Sequence, residues 1–255
     1  MPLPTECHTQ IAITTGGQRA IDWLAQHTPL SRMQIKKAMT HGAVWWQQDK
    51  RRERLRRATR ALPAGGQLHL HYDAAILALI PPTPTLIADE KQYSVWHKPA
   101  GLLAQGTLQG DHCSLLRLVE LQLQRPVFLV HRLDREANGL MLVAHTTKAA
   151  AALSALFQRR ESMEKHYRAT VQGHVCASPL PLRIDTGRKH QIRRHLAGLG
   201  HPVCGDVRYG ATAVTARATL MLTAYRLVFR CPFSHAARDY CLPDALLPTR
   251  QEHVQ

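Results

Sequence analysis

The amino-acid sequence predicts an α+β protein in two parts, a small amino-terminal α/β module and a larger second domain. Short helical and strand patterns come first, a proline-rich stretch follows at 81–84, and a longer series of strands and helices comes after it. The chain has 255 residues, 45% of them hydrophobic, which is enough for one domain with a sizeable core and a smaller companion. The expected boundaries are 14–75 for the module, 76–84 for the linker and 85–243 for the second domain.

The charge balance of the chain favours a polyanionic partner. Lysine and arginine number 33 against 18 acidic residues, which gives a formal net charge of +15. Because the basic residues are spread through the chain, they indicate a long surface for nucleic acid. An anionic membrane surface is the competing partner. However, no apolar run approaches the length of a membrane span and no signal peptide opens the chain, so we expect no membrane partner.

The cysteines and histidines do not form the pattern of a metal site. The six cysteines contain no Cys-x-x-Cys pair, and the sixteen histidines lack close ligand spacing. Scattered thiols of this kind fit a reducing compartment, so the sequence predicts a cytoplasmic protein without disulfides or bound metal. Neither a glycine-rich dinucleotide loop nor a phosphate-binding loop occurs, and we therefore expect no organic cofactor.

Two helices are predicted near the start of the module. Apolar spacing predicts a helix over Gln18–His27, and the Thr-Pro pair that follows ends it. Ser31 begins a second helix and has Gln34 three positions later, as in a capping box, while Gly42 ends that helix. Strands are predicted at 43–47 and 67–72, and residues 1–13 are expected to be a loose lead-in.

A basic ribbon lies between these two predicted strands, and the whole module resembles a known RNA-binding unit. The segments Leu30-Ser31-Arg32, Ile35-Lys36 and Gly42-Ala43-Val44 are similar to the core of the alpha-L module, which implies RNA contact. A solvated strand face is the alternative explanation for the ribbon. The residues expected to contact RNA are Arg32, Lys36, Arg51, Arg52, Arg54, Arg56 and Arg57. Of Trp45 and Trp46, one is expected in the core; the other could stack on a base or a guanidinium, but the sequence favours a packing role for it.

The second domain is predicted to follow a stiff, extended linker at Pro81-Pro82-Thr83-Pro84. Its patterns alternate between short apolar strands and amphipathic helices. Strands are predicted at 86–88, 93–96, 127–130, 140–144, 164–171, 182–185, 220–224 and 226–229, and helices at 113–123, 148–159 and after Gly187.

A charged loop separates two of these apolar strands. It reads His131-Arg132-Leu133-Asp134-Arg135-Glu136, and Asn138-Gly139 then gives a turn pattern. Asp134 therefore lies at the mouth of a strand–loop–strand unit, and Arg132 could share its face if the chain is extended there. A surface loop with an incidental ion pair also explains this spacing.

Four segments together resemble the RluA-type pseudouridine synthases. His-Arg-Leu-Asp followed by Gly-Leu matches the signature in which the aspartate, here Asp134, is the catalytic carboxylate. The other matches are Lys98-Pro99-Ala100-Gly101, with His97 where asparagine is common, Glu164-Lys165-His166-Tyr167-Arg168-Ala169, and Thr186-Gly187-Arg188-Lys189-His190-Gln191-Ile192-Arg193 with its continuation to Gly210.

This resemblance implies a mixed, largely antiparallel sheet and an isomerase that detaches uracil, rotates it and rejoins it through C5. Asp134 would be the nucleophile or the proton acceptor, and Arg193 would pair with it and keep it ionised. Tyr167 would line the base pocket, although core packing also explains a strand tyrosine. Arg132 would fill the space of the flipped uridine or hold a phosphate. Further RNA contacts are expected from Lys98, Arg188 and His190.

One departure from the family pattern keeps a second function open. Only 173–181 separates the tyrosine and arginine motifs, and Pro179 and Pro181 are poor strand formers. We expect this segment to be a surface crossing and the strands on either side to join one sheet. The alternative is a non-catalytic RNA-binding or ribosome-assembly protein on a shortened synthase fold. For the synthase we expect a monomer whose substrate is large-subunit ribosomal RNA rather than transfer RNA.

Overall fold

The computed structural model describes residues 5–159, 162–173, 180–184, 187–210 and 219–247. The chain forms two compact units. The first contains the residues up to Pro81 together with Gln105–Arg117, and the second contains Pro82–Ala104 and the residues from Leu118 onward. The first unit thus takes in a segment that the sequence assigned to the second domain. None of the helices in the described ranges is long and apolar enough to cross a membrane.

The first unit is an antiparallel four-stranded sheet with short helices. The elements are β1 (Glu6–Ala12), α1 (Ala20–His27), α2 (Arg32–Thr40), β2 (Val44–Gln48), β3 (Arg51–Arg54), β4 (Gln67–Asp73) and α3 (Ala74–Ala78). The strand order is β1-β4-β2-β3. Strand β1 was expected to be a loose lead-in, and this expectation is wrong. Strand β1 lies at the sheet edge and buries only Ile11, so its sequence has little of the apolar alternation that identifies a strand.

Two local predictions for this unit are confirmed. Ser31 caps α2: its hydroxyl accepts from the Gln34 backbone N–H at 3.3 Å, and its own N–H donates to the Gln34 side chain at 2.8 Å. Trp46 lies in the core with 3% of its surface exposed. Trp45 stacks on a guanidinium instead, since the Arg54 group lies 4.1 Å from the centre of its ring.

The second unit is built around an eight-stranded sheet. Its elements are β5 (Thr85–Asp89), β6 (Tyr93–Lys98), β7 (Phe128–Leu129), β8 (Asn138–Ala144), α5 (Thr147–Gln158), β9 (Met163–Ala169), β10 (Leu180–Ile184), α6 (Gln191–Gly198), β11 (Leu222–Arg230) and β12 (Ala237–Cys241); α4 (Leu115–Leu123) begins in the first unit. The main order is β10-β9-β11-β8-β6-β5, with β12 beside β11 and β7 beside β8. Among the described strands only β8 and β11 pair in parallel. The predicted mixed, largely antiparallel sheet is confirmed.

The centre of this sheet is buried on both faces. Every residue of β6 and of β8 is buried, which explains their nearly continuous apolar runs. Helix α5 packs against β8 and buries Ala149 and Leu153 there. Helix α6 contributes Ile192 and Leu196 to a second apolar cluster that includes residues of β9 and β11. These two clusters fix the positions of the loop before β8 and of the first turn of α6.

Asn138-Gly139 begins strand β8 and does not form the expected turn. Gly139 has φ of +134°, and a Cβ atom there would lie 2.4 Å from the carbonyl oxygen of Ala224 on β11. Only glycine permits this conformation together with such a close approach of two strands. The two predicted late strands are likewise one strand, β11, whose pairing with β9 is irregular at Tyr225.

The strands on either side of the short connection join one sheet, as expected. Strand β10 pairs with β9, and Leu182 lies opposite Tyr167. Pro181 is part of β10 despite the expectation that it would resist a strand. Proline is tolerated there because β10 is an edge strand that pairs with β9 on one side only, so the missing N–H does not break hydrogen bonds to a second neighbouring strand. The residues 174–179 of the connection, with Pro179, and Thr186 of the arginine motif lie outside the described residues.

Candidate active site

The second unit brings together Asp134, Tyr167 and Arg193 from three separate segments. Asp134 lies in the loop between β7 and β8, Tyr167 on β9, and Arg193 in the first turn of α6. Nη1 of Arg193 donates a hydrogen bond of 3.1 Å to Oδ2 of Asp134. The Arg193 side chain is 3% exposed, whereas that of Asp134 is 24% exposed. The carboxylate is therefore paired with a buried cation and is still open to solvent.

Arg193 is fixed from its other side by Asp206, which the sequence reasoning did not single out. Nε and Nη2 of Arg193 each donate 2.8 Å hydrogen bonds to the two oxygens of Asp206. Oδ1 of Asp206 also accepts the backbone N–H groups of Arg208 and Tyr209 at 3.0 Å. Burial opposes ionisation of Asp206, but these donors outweigh it and lower its pKa. The hydrogen bond to Asp206 is also the main cause of the raised pKa of Arg193, and burial acts against it.

A glycine allows Asp206 to reach this position. Gly205 has φ of +78°, and a Cβ atom there would lie 2.1 Å from the carbonyl oxygen of Thr219. The sequence contained one hint of this residue, since the Gly-Asp pair falls in the segment that continues the arginine motif. Sequence alone did not show that this aspartate meets the arginine thirteen residues before it.

His190 lies beside the carboxylate, although the sequence suggested an RNA contact for it. Its Nε2 is 3.5 Å from Oδ1 of Asp134, and its Nδ1 is 3.0 Å from the hydroxyl oxygen of Tyr209. Only 11% of the His190 side chain is exposed. Within the described part of the chain, Arg193 therefore lies at Oδ2 of Asp134 and His190 at Oδ1.

Tyr167 is half-buried at the edge of the same site. It packs against the apolar cluster that includes Ile192 of α6, and its neighbours across the sheet are Leu182 and Ala224. Burial, followed by the negative charge of Asp134, raises the pKa of the Tyr167 hydroxyl to about 12. Tyr167 is thus a neutral aromatic group close to the carboxylate, which suits contact with a planar base.

Lys98 cannot contact RNA as the sequence suggested, because its ammonium group is completely buried. Nζ lies within hydrogen-bonding distance of four backbone carbonyl oxygens, those of Pro99, Leu102, Arg135 and Ala137, at 2.6 to 3.2 Å. Burial lowers its pKa to about 7, although the charges of Glu136 and Asp134 act in the opposite direction. Lys98 therefore ties the loop that carries Asp134 to the loop after β6.

His131, the first residue of the Asp134 motif, is a second structural anchor of this loop. Its Nε2 accepts the backbone N–H of Leu142 at 3.0 Å, and its ring stacks on Phe157 with centres 4.0 Å apart. Burial, assisted by the charge of Lys165, lowers its pKa to about 3. A neutral ring is what this contact requires, because only an unprotonated nitrogen can accept a hydrogen bond. Arg132 and Arg188, by contrast, are exposed.

The basic ribbon of the first unit divides into two sets of arginines. Arg54 and Arg56 both bind Asp111 and also donate to backbone carbonyl oxygens. Their guanidinium groups are thus engaged within the unit, whereas they were expected from the sequence to contact RNA phosphates. Arg51, Arg52, Arg57 and Lys36 are exposed. Arg32 is exposed as well but contacts Asp22 at 2.7 Å. A groove beside β3 is lined by Arg54, Arg56, Arg57 and Arg60 together with Glu53.

Comparison with known proteins agrees with this fold. A family model described as RNA pseudouridylate synthase matches residues 92–181. The dual-specificity RNA pseudouridine synthase RluA of Vibrio vulnificus is 32% identical over 233 residues, which cover 71% of this chain and 92% of that protein. The tRNA pseudouridine synthase C of Pasteurella multocida is 26% identical over 207 residues, covering 57% of this chain and 85% of the relative.

The fold is also found among solved structures. The structure of human RNA pseudouridylate synthase domain containing 1 matches with a TM-score of 0.53 at 21% identity and covers 67% of this chain and 88% of its own. An identity this low shows the fold alone, but the relative from Vibrio vulnificus is similar over nearly its whole length. The chain therefore belongs to the RNA pseudouridine synthases, the enzymes that isomerise uridine within RNA.

Proposed function

We propose that Asp134 is the catalytic carboxylate of this synthase and that its substrate is uridine in large-subunit ribosomal RNA. The observation that carries the catalytic assignment is the pair of Asp134 with Arg193. The cation is buried and fixed by Asp206, while the carboxylate stays partly exposed beside Tyr167. An ionised carboxylate that a substrate can reach is what the first bond-breaking step needs.

The reaction balances without an external reagent. The bond from C1′ of the ribose to N1 of uracil breaks, the bond from C1′ to C5 forms, C5 loses a proton and N1 gains one. Asp134 acts at the sugar or as the proton acceptor, and both roles require its ionised form. Nη1 of Arg193 donates to Oδ2 and places a positive charge beside the carboxylate.

The target uridine has to leave its stack before Asp134 can reach it. Flipping a base out of a helix costs a few kcal/mol, and contacts with the protein have to offset that cost. Tyr167 offers an aromatic face beside the carboxylate. Arg132 is exposed two residues before Asp134, which suits either a phosphate contact or the space that the uridine leaves.

The exposed basic residues of the first unit support RNA binding outside the site. Lys36, Arg51, Arg52 and Arg57 are exposed, and exposed cations form phosphate contacts. Arg52 also lies over the Trp45 ring at 5.0 Å and has its Nη2 3.3 Å from Nε2 of His71. A module of this type ahead of the synthase domain favours ribosomal RNA by analogy. We also propose that the protein acts as a monomer in the cytoplasm.

Transfer RNA is the second candidate substrate. One relative is named as a tRNA pseudouridine synthase and another as dual-specific for RNA, and both are similar over most of their length. Mapping pseudouridine in ribosomal and transfer RNA of a strain with the gene deleted, then restored, decides between them. Loss in large-subunit ribosomal RNA supports the first candidate, and loss confined to transfer RNA overturns it.

The same strain tests the catalytic assignment. Restoring the gene as Asp134→Asn should leave the modification absent, whereas Glu136→Gln should restore it. Glu136 is a suitable control because it also approaches Arg193, at 3.7 Å, but is half exposed. Modification restored by Asp134→Asn would end the assignment of Asp134 whichever RNA is the substrate.

A further inference from the structure

His190 connects Asp134 to Tyr209 through its two ring nitrogens. Nδ1 lies 3.0 Å from the Tyr209 hydroxyl, and Nε2 lies 3.5 Å from Oδ1 of Asp134. The Tyr209 ring is itself held in place, because the guanidinium of Arg193 lies 5.5 Å from its centre and its backbone N–H donates to Asp206. The chain of contacts from Tyr209 to Asp134 thus starts from a residue that packs against the buried arginine.

These contacts select one tautomer of the neutral imidazole. A neutral histidine carries one N–H, and its other nitrogen is an acceptor. If Nδ1 carried the hydrogen, the lone pair of Nε2 would face the negative carboxylate of Asp134. If Nε2 carries the hydrogen, the Tyr209 O–H donates to Nδ1 and the Nε2–H bond points its positive end at Oδ1. The second arrangement suits both neighbours, so Tyr209 selects the tautomer in which the Nε2–H bond of His190 faces Oδ1 of Asp134, 3.5 Å away.

The backbone of His190 also has an unusual conformation. It immediately precedes α6 with φ of +53° and ψ of +29°, in the left-handed region that non-glycine residues seldom occupy. Glycine would adopt this conformation at no steric cost. The presence of histidine there indicates that its side chain has a role, and the contacts of the ring lie at the carboxylate and at Tyr209.

We propose that His190 is a positioning residue that orients the Asp134 carboxylate for reaction, a role that rests on the proposed catalytic function of Asp134. Arg193 alone holds one oxygen, which leaves the carboxylate free to rotate about its bond to Cβ. A second donor at Oδ1 fixes the plane of the group. A carboxylate has about four lone-pair sites, so two donors still leave a free lone pair on each oxygen for the substrate. Small errors in the placement of a reacting group slow a reaction strongly.

Three substitutions separate positioning from packing. His190→Gln keeps a donor near the place of Nε2, because the glutamine amide reaches that far, whereas the amide of His190→Asn ends near Nδ1 and cannot reach Asp134. Tyr209→Phe keeps the ring and removes only the hydroxyl that selects the tautomer. His195→Asn is the control, since it makes the same change at an exposed position of α6, the helix that follows His190.

The measurement is the single-turnover rate constant at saturating full-length protein on substrate RNA, together with RNA affinity and melting temperature. We expect His190→Asn to lower the rate constant roughly ten- to a hundredfold, the worth of a lost donor to a charged group, with RNA affinity unchanged. His190→Gln should recover most of the rate, and Tyr209→Phe should fall between the two. The His195→Asn protein should react like the wild type.

Two results would overturn the proposal. One is a His190→Asn rate equal to that of His195→Asn. The other is an equal loss in His190→Gln and His190→Asn, which would indicate packing alone. If His190→Asn fails to fold, a Tyr209→Phe protein with the wild-type rate overturns the proposal in its place. Asp134→Asn is run beside them: if it stays active, the catalytic assignment itself has failed, whereas an inactive Asp134→Asn with an unaffected His190→Asn rejects only the role of His190.

Discussion

Asp206 binds Arg193 through both of its carboxylate oxygens, and the pair is almost completely excluded from solvent. Two parallel N–H···O bonds set the plane and the direction of the guanidinium. The third donor, Nη1, is then left to meet Asp134. Asp206 therefore sets the direction in which Arg193 meets Asp134.

Removing the charge of Asp206 should destabilise the protein as well as the site. In Asp206→Asn the buried Arg193 keeps its charge and loses its main counter-ion, a change that costs about 3–5 kcal/mol in the free energy of unfolding. Urea denaturation measures this directly. Asp239→Asn is a matched control, because Asp239 forms the same two-bond pair with Arg226 on the surface, where solvent screens it. Equal losses in the two variants would contradict the structural role of Asp206.

His131 should make stability depend on pH in a defined window. Its pKa is about 3 in the folded protein and about 6.5 in an unfolded chain, so between these values the unfolded state binds more protons. The free energy of unfolding therefore rises with pH from 3 to 6.5, and this contribution is complete above 6.5. In His131→Gln, whose amide oxygen still accepts the N–H of Leu142, the slope should be smaller by up to about 1.4 kcal/mol per pH unit. Unfolding titrations at several pH values check this, and identical slopes would refute it.

Replacing Lys98 should affect stability and not phosphate contact. Lys98→Met removes the ammonium donor from four backbone carbonyl oxygens, of which only those of Arg135 and Pro99 are known to keep a backbone N–H, from Gly101 and Leu102. We therefore expect a lower melting temperature and a loss of roughly 3 kcal/mol. The dependence of RNA affinity on salt, measured below the melting temperature, should be unchanged. Lys91→Met, at an exposed position, is the control for a lost lysine. A salt slope that decreases by about one charge would show instead that Lys98 contacts a phosphate.

The exposed and the engaged arginines of the first unit should behave differently. A variant with Arg51, Arg52 and Arg57 changed to alanine should weaken RNA binding. The salt slope, which is the slope of the logarithm of the RNA binding constant against the logarithm of salt concentration, should fall in magnitude by roughly two to three. Its rate at saturating RNA should stay the same. Arg56→Ala should instead lower stability, because Asp111 loses a partner at low exposure. If Arg56→Ala reduced the salt slope as much per residue as the triple variant does, the division into two sets would be wrong.

These point variants are preferable to deleting the module. Gln105–Arg117 belongs to the same compact unit as the residues before Pro82, and Asp111 within it binds Arg54 and Arg56. Removing residues 1–80 would therefore leave that segment without its partners. Any loss of activity in such a truncated protein would mix lost RNA contact with lost structure.

Local patterns in the sequence predicted local structure well. The Ser31–Gln34 capping box and the apolar runs of β6 and β8 follow from residues that are close in sequence. Asn138-Gly139 was misread as a turn because a glycine needed for a close approach between distant strands has the same local pattern as a turn glycine. Strand β1 was missed because an edge strand buries few side chains.

The site could be predicted only where the family resemblance supplied tertiary information. The pairing of Asp134 with Arg193 was implied by the family resemblance. Local patterns could not show it, because 59 residues separate the two along the chain. The contacts of Arg193 with Asp206 and of His190 with Tyr209 depend on the path of the chain after α6, where Asp206 and Tyr209 lie. No periodicity encodes that path. The burial of Lys98 could not be predicted from the sequence either, because a lysine beside proline and glycine at a strand end is usually exposed. Only the positions of the surrounding carbonyl groups show that it is buried.

If the charge of Asp134 performs the chemistry, a protein without that charge should fold and bind RNA but form no product. Pseudouridine formation by Asp134→Asn under single-turnover conditions, with RNA affinity and melting temperature measured on the same protein, separates chemistry from binding and folding. We expect product formation below detection, RNA affinity close to that of the wild type because phosphate contacts supply most of it, and a folded protein. A folded Asp134→Asn protein that forms pseudouridine at the wild-type rate would contradict the account.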